Sequence, residues 1–155
     1  MIELIGDQPD AVAAWVAARQ PHPVPHVAGT CQAIGFARRQ NLIAGVLYYQ
    51  YNGVNVWMAV AAEPKSRWLN KQGLYAIFYY PFRQLGCRRI TALVNEDNHA
   101  SRRFVESLGL ERETALIGAC PAGDQIVYRM FSDSCQWLSQ ESKREQQRPK
   151  PTPST

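Results

Sequence analysis

Residues 82–110 read FRQLGCRRITALVNEDNHASRRFVESLGL, and they carry three secondary-structure signals in succession. Gly86 has the position of a glycine that ends a helix. Arg89–Val94 is a short run rich in β-forming residues, which predicts a strand. Asp97 or Asn98 then caps a second helix, which has apolar residues at helical spacing and stops at Gly109. The order predicted here is therefore helix, strand, helix.

Three further strands are predicted upstream. They cover Cys31–Arg38, Ile43–Gln50 and Val54–Ala61, and the dipeptide Asn52-Gly53 lies between the last two. Asn-Gly favours a type I′ hairpin turn, because both residues tolerate a positive φ. Val54–Ala61 has apolar residues on both faces, which predicts a strand in the centre of the sheet.

The N-terminal region is predicted to form a helix and then a loop. Pro9 fits the first turn of the helix, which ends before the proline-rich residues 21–26. His22 and His26 are four residues apart in this loop. On a helix that spacing can bind a metal, but the three prolines of the loop exclude a helix, so we expect no metal site there.

One helix and two strands complete the predicted elements around residues 82–110. The helix begins near residues 68–73 and ends at Leu85, and Pro81 inside it predicts a kink about one turn before the end. The strands cover roughly Thr114–Ala119 and Gln125–Phe131, and Ser132–Leu138 is predicted to form a last short helix.

Length and composition favour one domain that does not enter a membrane. The 155 residues are 46% hydrophobic, which is enough for a single core. Because no apolar run reaches about eighteen residues and no basic region precedes an apolar stretch, we expect neither a spanning helix nor a signal peptide, and a cytoplasmic protein. The four cysteines are widely scattered, which favours reduced core thiols over a zinc site or a disulfide scaffold.

Half of the formal net charge of +4 lies after Leu138. Residues 139–155 hold four Lys or Arg, two Glu and no apolar residue. Such a segment cannot bury enough surface to offset the entropy of ordering, so we predict a domain of residues 1–138 followed by a disordered polar tail. The mild charge of the domain gives no electrostatic argument for nucleic acid.

Residues 82–110 closely resemble the C-terminal half of the GNAT superfamily of N-acetyltransferases. In that family a helix ends in Phe-x-x-Leu-Gly, a strand follows, and Asn-x-x-Ser opens a helix that ends in Leu-Gly-Phe; Phe82, Asn98 and Leu108 begin the matching motifs here. The likeness is best to the branch with ribosomal-protein N-terminal acetyltransferases and extends to short acetyltransferase-like proteins of phages and prophages. It covers roughly Trp68–Leu138. The resemblance implies an α+β fold, a single domain with a mixed, mostly antiparallel, twisted sheet of six to seven strands flanked by helices.

The resemblance also implies an activity, the acetylation of a primary amine by acetyl-CoA. In the family the cofactor pyrophosphate lies at a helix N-terminus, where unpaired backbone N–H groups meet it, and residues 68–73 have that position here. The pantetheine arm follows the fourth strand, here Val54–Ala61, and pairs with its backbone where the fourth and fifth strands separate. The residues that the resemblance assigns to the cofactor are Met58, Ala59 and Val60 on this strand, with Asn98 and Ser101 at the start of the last predicted long helix.

The phosphate loop departs from the family pattern. The family has Gln or Arg, two residues, Gly, one residue, and Gly or Ala, whereas residues 67–73 read RWLNKQG. Asn70 and Gln72 occupy the glycine positions, where their side chains hinder the approach of backbone to phosphate. Arg67 and Lys71 can offset this by direct phosphate contacts. The residues assigned to the phosphate site are Arg67, Asn70, Lys71, Gln72 and Gly73.

Acetyl transfer to an amine needs a base, because a lysine-like amine with a pKa near ~10 is protonated at neutral pH. Glu63, just beyond the fourth strand, is the predicted catalytic base. Backbone N–H groups of residues 58–60 are predicted to polarise the thioester carbonyl. Many family members have a tyrosine acid seven residues after the motif Asn, where this chain has Val105; a thiol with a pKa near ~8.5 can leave without it.

Two other functions stay open at this stage. A non-catalytic protein of the same fold that binds a partner or another ligand fits the altered phosphate loop. A phage-related protein that acts on nucleic acid, for example by modifying a base amine, fits the phage-like resemblance and the basic tail, although we do not expect nucleic acid to be the partner. The expected partners are acetyl-CoA and an amine acceptor, either a small molecule or a protein, and we expect a monomer or a homodimer.

Overall fold

The computed structural model describes residues 1–27 and 29–139, and these form one seven-stranded sheet with three α-helices. The strands are β1 Glu3–Ile5, β2 Gln32–Arg38, β3 Asn41–Tyr49, β4 Asn55–Ala62, β5 Arg89–Asn95, β6 Glu111–Cys120 and β7 Gly123–Phe131. The helices are α1 Pro9–Ala17, α2 Lys71–Tyr79 and α3 His99–Ser107. Within these ranges no helix is long and apolar enough to cross a membrane.

The sheet is mixed and mostly antiparallel, with the strand order β1-β2-β3-β4-β5-β7-β6. Only β4 and β5 pair in parallel, because α2 carries the chain back along the sheet between them. Val12 and Val16 of α1 pack on one face, and Ile77 and Phe78 of α2 are fully buried on the other. The predicted α+β fold is therefore confirmed, with a central β4 and all six predicted strands present; β1 was not predicted, since three residues carry no periodicity.

The predicted type I′ turn at Asn52-Gly53 is wrong. β3 ends at Tyr49 and β4 begins at Asn55, so the loop has five residues, and its positive φ angles are at Gln50 (53°) and Gly53 (101°). Asn52 acts through its side chain instead, because its Oδ1 accepts hydrogen bonds from the N–H groups of Val54 (3.1 Å) and Asn55 (2.9 Å). Asn52 therefore makes an Asx turn, in which its side chain accepts from the backbone N–H groups of the loop. In a two-residue hairpin, backbone donors beside the turn pair across the two strands instead.

The two-residue hairpin turn lies one connection earlier, at Arg39-Gln40 between β2 and β3. Both residues have a positive φ, of 53° and 68°. This is the backbone that matches the twist of two antiparallel strands, although it is usually occupied by glycine or asparagine. Arg39 and Gln40 are not typical of such a turn, so the residue types do not predict it.

A change in the helix lies at Pro81, where a kink was predicted. After Tyr79 the helix widens into one π-helical turn, Tyr80–Gln84, in which the Leu85 N–H donates to the Tyr80 carbonyl at 3.0 Å. A proline has no N–H to donate, and the wider turn is the local adjustment that accommodates this loss. Gly86 follows with a φ of 69° and ends the helix as predicted.

The C-terminal part of the described chain contains no α-helix over Ser132–Leu138, which corrects that prediction. Two 3₁₀ turns, Ser132–Ser134 and Gln136–Leu138, occupy this segment. Trp137 and Leu138 do pack back on the domain, since Trp137 Nε1 donates to the Leu108 carbonyl at 2.7 Å and Leu138 is fully buried. Residues 140–155 of the predicted tail lie outside the described residues, so the tail stays a prediction.

Candidate functional site

A cleft opens where β4 and β5 separate. The two strands pair at three positions, which end with Trp57 opposite Thr91. Beyond this point β4 continues to Ala62 beside β3, whereas β5 continues to Asn95 beside β7. The inner edges of both strands are therefore unpaired with each other over their second halves, and the sheet has a gap that is open to a ligand.

Four parts of the chain line this cleft, and they enclose a cavity of about 40 Å³. β4 and β5 form two walls, the start of α3 forms a third, and the loop after α1 covers one side. Of the residues that the sequence assigned to the cofactor, the structure brings five together here: Met58, Ala59, Val60, Asn98 and Ser101. The loop contributes Gln20, Pro21 and His22, none of which was assigned to a site.

The backbone of β4 points alternate residues into the cleft. The Val54 carbonyl accepts hydrogen bonds from the N–H groups of Arg88 (2.8 Å) and Arg89 (3.2 Å), so the backbone of Val54 faces β5. The backbone N–H and C=O groups of the other even-numbered residues of β4 face the same way. By the alternation of an extended strand, the N–H and C=O groups of Met58 and Val60 point into the gap. Those of Ala59 point to β3, so Ala59 lines the cleft without offering backbone hydrogen bonds to it.

One of these backbone groups already has a partner. Gln20 Nε2 donates to the Val60 carbonyl at 3.0 Å, across forty positions of sequence. An amide of the chain itself therefore occupies an acceptor that the sheet leaves unpaired. This contact also holds the loop after α1 against the cleft.

His22 is a candidate functional residue that the sequence analysis did not assign to the site. Its side chain lines the cleft, and its Nδ1 atom is buried with no hydrogen-bond partner among the described residues. Burial lowers the pKa of the imidazole from its ordinary value, which favours the neutral ring. The His22 and His26 spacing was considered only as a metal signal, and nothing local in the sequence indicates that the loop folds over the gap.

The start of α3 is organised by Asn98. Its Oδ1 accepts from the Ser101 N–H at 3.2 Å, so Asn98 caps the helix, and both side chains line the cleft. Of the two predicted caps, Asp97 and Asn98, the structure uses the second. One turn later Phe104 lines the same cavity and contacts Trp68, with their ring centroids 6.0 Å apart.

The start of α2, the expected phosphate site, is capped by its own side chain. Asn70 Oδ1 accepts from the Gly73 N–H at 2.8 Å, which satisfies one of the donors that a phosphate would need. A Cβ atom on Gly73 would lie 2.9 Å from Cε1 of the buried Phe36, so this glycine permits close packing of the helix on β2. The N–H groups of Lys71 and Gln72 precede the capped one at the helix end.

Basic residues surround this helix start. Arg67 and Lys71 are exposed, and Arg38 Nη2 donates to the Ser66 carbonyl at 3.0 Å in the loop before the helix. The Gln72 side chain belongs to a different groove, which Tyr75 and Tyr79 also line. The assigned phosphate residues therefore share one helix end, and Gln72 also lines this second groove.

Trp68 lies next to both regions. It is 6% exposed, and its ring packs against Phe36 at a centroid distance of 4.7 Å on one side and against Phe104 on the other. Because Phe104 also lines the cleft, the indole forms part of the packing between the start of α2 and the cleft. Its large apolar surface fixes this arrangement.

Glu63, the predicted base, lies outside the residues that line the cleft. Its carboxylate is on the surface, 3.5 Å from Arg19 Nη2, and it borders an open hollow that residues 65–69 also line. The side chain is 48% exposed. The structure therefore does not bring Glu63 together with the other assigned residues.

The described histidines and cysteines form no metal site. Within residues 1–27 and 29–139, no group of three or more His, Cys, Asp or Glu side chains is placed to hold a metal ion. His26 is separate from His22, and its Nδ1 lies 3.2 Å from the Val24 carbonyl. The prediction of free thiols is confirmed, since all four cysteines are unpaired and three of them are buried, Cys31, Cys87 and Cys135.

Solved structures that are similar to this chain include acetyltransferases. The chain is similar to an acetyltransferase of the GNAT family from Bacillus anthracis, with a TM-score of 0.55, 18% identity, and coverage of 65% of this chain and 66% of that chain. It is also similar to the spermidine/spermine N-acetyltransferase SpeG from Vibrio cholerae, solved with manganese ions, with a TM-score of 0.68, 13% identity, and coverage of 90% and 96%.

A point mutant of the spermidine N-acetyltransferase SpeG from Vibrio cholerae matches with a TM-score of 0.61, 15% identity, and coverage of 74% of this chain and 72% of that chain. No family model and no curated protein sequence matches the chain. At these identities a structural match shows the fold, and it leaves the substrate undetermined. The seven-stranded sheet, its parallel β4–β5 pair and these matches together show that the chain has the fold of the GNAT acetyltransferases.

Proposed function

We propose that this protein is an acetyl-CoA-dependent N-acetyltransferase that acts on a primary amine. The observation that carries the proposal is the gap between β4 and β5, where pairing stops after Trp57 and Thr91 although both strands continue. The pantetheine arm of acetyl-CoA has amide and carbonyl groups that can hydrogen-bond with the unpaired backbone of such a strand edge. The shared fold with known N-acetyltransferases supports the same conclusion.

Within this proposal the arm lies along β4. The Val60 carbonyl accepts an amide N–H of pantetheine after the Gln20 side chain has moved away from it. The N–H groups of Met58 and Val60 then polarise the thioester carbonyl, because they are fixed donors in a water-poor cleft. Asn98 and Ser101 contact the arm from the start of α3.

The pyrophosphate is proposed to lie at the start of α2. The N–H groups of Lys71 and Gln72 and the positive end of the helix dipole attract an anion there. Arg67 and Lys71 add charge, and Arg38 joins them through its contact with the preceding loop. Gly73 contributes packing in this proposal, since its N–H is held by Asn70.

The acceptor is proposed to be an unhindered primary amine. The structural neighbours named above include acetyltransferases of spermidine and spermine. The sequence likeness to ribosomal-protein N-terminal acetyltransferases favours a protein α-amine instead. An α-amine has a pKa near ~8, so much more of it is neutral at pH 7 than of a lysine or polyamine nitrogen near ~10. The two acceptor classes therefore place different demands on a base.

Two measurements test this function. Calorimetry with acetyl-CoA and with free CoA is expected to show binding of both, and no heat at millimolar ligand would count against the proposal. Thiol release from acetyl-CoA, measured with spermidine, lysine and a short peptide that has a free N-terminus, is then expected to identify an acceptor class. For a protein that binds CoA, absence of release with every amine would overturn the catalytic part.

A second candidate is a non-catalytic protein of the same fold, and three contacts favour it. Asn70 caps the start of α2, Gln20 occupies the Val60 carbonyl, and the enclosed cavity of about 40 Å³ is far smaller than a typical ligand pocket of ~300–1,000 Å³. Acetyl-CoA must displace the Gln20 side chain from the Val60 carbonyl to pair with it. A structure with CoA that shows this side chain moved supports the enzyme, and a CoA-soaked crystal with the side chain unchanged and the cleft closed supports the second candidate.

Glu63, the base that the sequence predicts, is the alternative to a base in the cleft and would have to act at a distance. Its carboxylate is exposed and ion-paired with Arg19, so a proton would have to reach it from the cleft through water. A water chain of this kind is compatible with an acceptor that is already partly neutral.

A further inference from the structure

The cleft between β4 and β5 contains one ionisable side chain among the described residues that line it, and this is His22. The walls from β4 and β5 supply apolar side chains together with Asn95, and α3 supplies Asn98, Ser101 and two apolar residues. No carboxylate or cation from these three elements borders the cavity. Arg19, three positions before His22, is paired with Glu63 on the surface.

The position of His22 is set by the residues beside it and after it. Val24, two residues after it, is buried in the core that α1 forms with the sheet, and this contact remains when the Gln20 side chain leaves the Val60 carbonyl. Pro21 and Pro23 flank the histidine directly and restrict its backbone. The imidazole is thus held over the gap by contacts that do not involve its own ring nitrogens.

The Nδ1 atom of His22 has no hydrogen-bond partner in the part of the chain that the structure describes, although most buried polar atoms have one. It is buried, and no described group donates to it or accepts from it. An unsatisfied buried polar atom is destabilising, so most such atoms are paired in folded proteins, and an exception calls for an explanation. In the tautomer with the proton on Nε2, Nδ1 is an acceptor that has no donor among the described residues.

We propose that His22, the ionisable side chain that lines the cleft, is the general base for acetyl transfer, with its imidazole as the group that receives the proton of the acceptor amine. This inference rests on the proposed acetyltransferase function. The amine nitrogen attacks the thioester carbon, a C–N bond forms, and the C–S bond breaks with its electron pair on sulfur. The proton that leaves nitrogen moves to the imidazole, and the imidazolium then returns it to the departing thiolate, which gives an amide and free CoA.

The electrostatics of the cleft suit this role. A base must be unprotonated before the reaction, and burial lowers the pKa of His22, so the ring is neutral at pH 7. With no neighbouring carboxylate to stabilise the imidazolium, the proton taken from the amine is readily released again. Glu63, by contrast, is solvated and bound to Arg19, away from the residues that line the gap.

Histidine NMR tests the geometry without knowledge of the acceptor. The chain has three histidines, and the variants His22→Gln, His26→Gln and His99→Gln assign their imidazole signals. The His22 signal is expected to titrate below the ordinary value near ~6.5 and to move when acetyl-CoA saturates the protein. A His22 signal that titrates at or above the ordinary value, or that is unchanged by bound acetyl-CoA, overturns the proposal.

Turnover tests the chemistry, with thiol release measured against spermidine and a peptide with a free N-terminus. His22→Gln is expected to lower kcat by about 100-fold, the smaller end of the usual range for a general base, and to leave the affinity for CoA unchanged. It should also remove the acid limb of the pH profile. His26→Gln, in the same loop but outside the cleft lining, is the matched control and is expected to keep full activity.

The outcomes separate this inference from the proposed function. Full turnover by His22→Gln, or a loss of turnover in Glu63→Gln alone, overturns the role of His22 and leaves the acetyltransferase standing. A protein that binds no acetyl-CoA, or binds it and acetylates none of the amines, overturns the function and the base together. Circular dichroism of each variant shows whether a loss of activity comes from misfolding.

Discussion

Gln20 donates a hydrogen bond from its side-chain amide to the backbone carbonyl of Val60, at 3.0 Å, across the cleft between β4 and β5. This contact satisfies an acceptor that the separated strands leave open. It also uses the same group that an incoming pantetheine amide would need. The side chain and the cofactor therefore compete for one atom.

Removal of the Gln20 amide is expected to strengthen CoA binding. A net hydrogen bond is worth about 1 kcal/mol, so Gln20→Ala should lower the Kd by up to about fivefold in calorimetry. Gln32→Ala, which changes an exposed glutamine on β2, is the control and should leave the Kd unchanged. A weaker affinity in Gln20→Ala would mean that the glutamine contacts the cofactor and does not compete with it.

Release of the capped N–H at the start of α2 is also expected to favour the cofactor. Asn70→Gly removes the acceptor from the Gly73 N–H and should cost only a few tenths of a kcal/mol in stability, whereas Asn70→Ala should cost about 1 kcal/mol. Urea unfolding measures both values. CoA should bind more tightly to Asn70→Gly than to the unchanged protein, and an unchanged Kd would place the pyrophosphate elsewhere.

Addition of a methyl group at Gly73 is expected to destabilise the fold by about 1 kcal/mol. Alanine is the better helix former by roughly 1 kcal/mol, but its Cβ would lie 2.9 Å from the Phe36 ring, and overpacking costs about 1–3 kcal/mol. Denaturant unfolding of Gly73→Ala, of Phe36→Leu and of the double variant gives the coupling between the two positions. If Gly73→Ala is more stable than the unchanged protein, close packing is not the reason for this glycine.

The partly buried imidazole of His22 is expected to make stability depend on pH. Because its pKa is lowered on folding, the unfolded chain binds the proton more tightly, and the free energy of unfolding decreases as the pH falls below about 6.5. Above that value the histidine adds no such dependence. Urea unfolding between about pH 5 and pH 8, a range chosen around the ordinary value, should show a shallower slope for His22→Gln; equal slopes would show that the ring is not buried in solution.

Features that depend on neighbouring residues could be read from the sequence. Asn98 caps α3 through the N–H of Ser101, three positions away, and Pro81 widens the helix turn in which it lies. The strand and helix order around residues 82–110 follows from periodicity in the same way. Turns were less reliable, since Asn52 formed an Asx turn and Arg39-Gln40 adopted positive φ without a glycine.

The sequence by itself determined the long elements and their order, because caps, prolines and apolar periodicity act within one or two turns of the chain, and its family resemblance indicated the α+β fold. The tertiary structure alone decided what lies in the cleft. Gln20 meets Val60 forty positions away, His22 is brought over the gap, and Glu63 turns to Arg19 on the surface. These placements depend on how α1 packs and where β4 and β5 separate, and no local pattern encodes contacts between segments so distant in sequence.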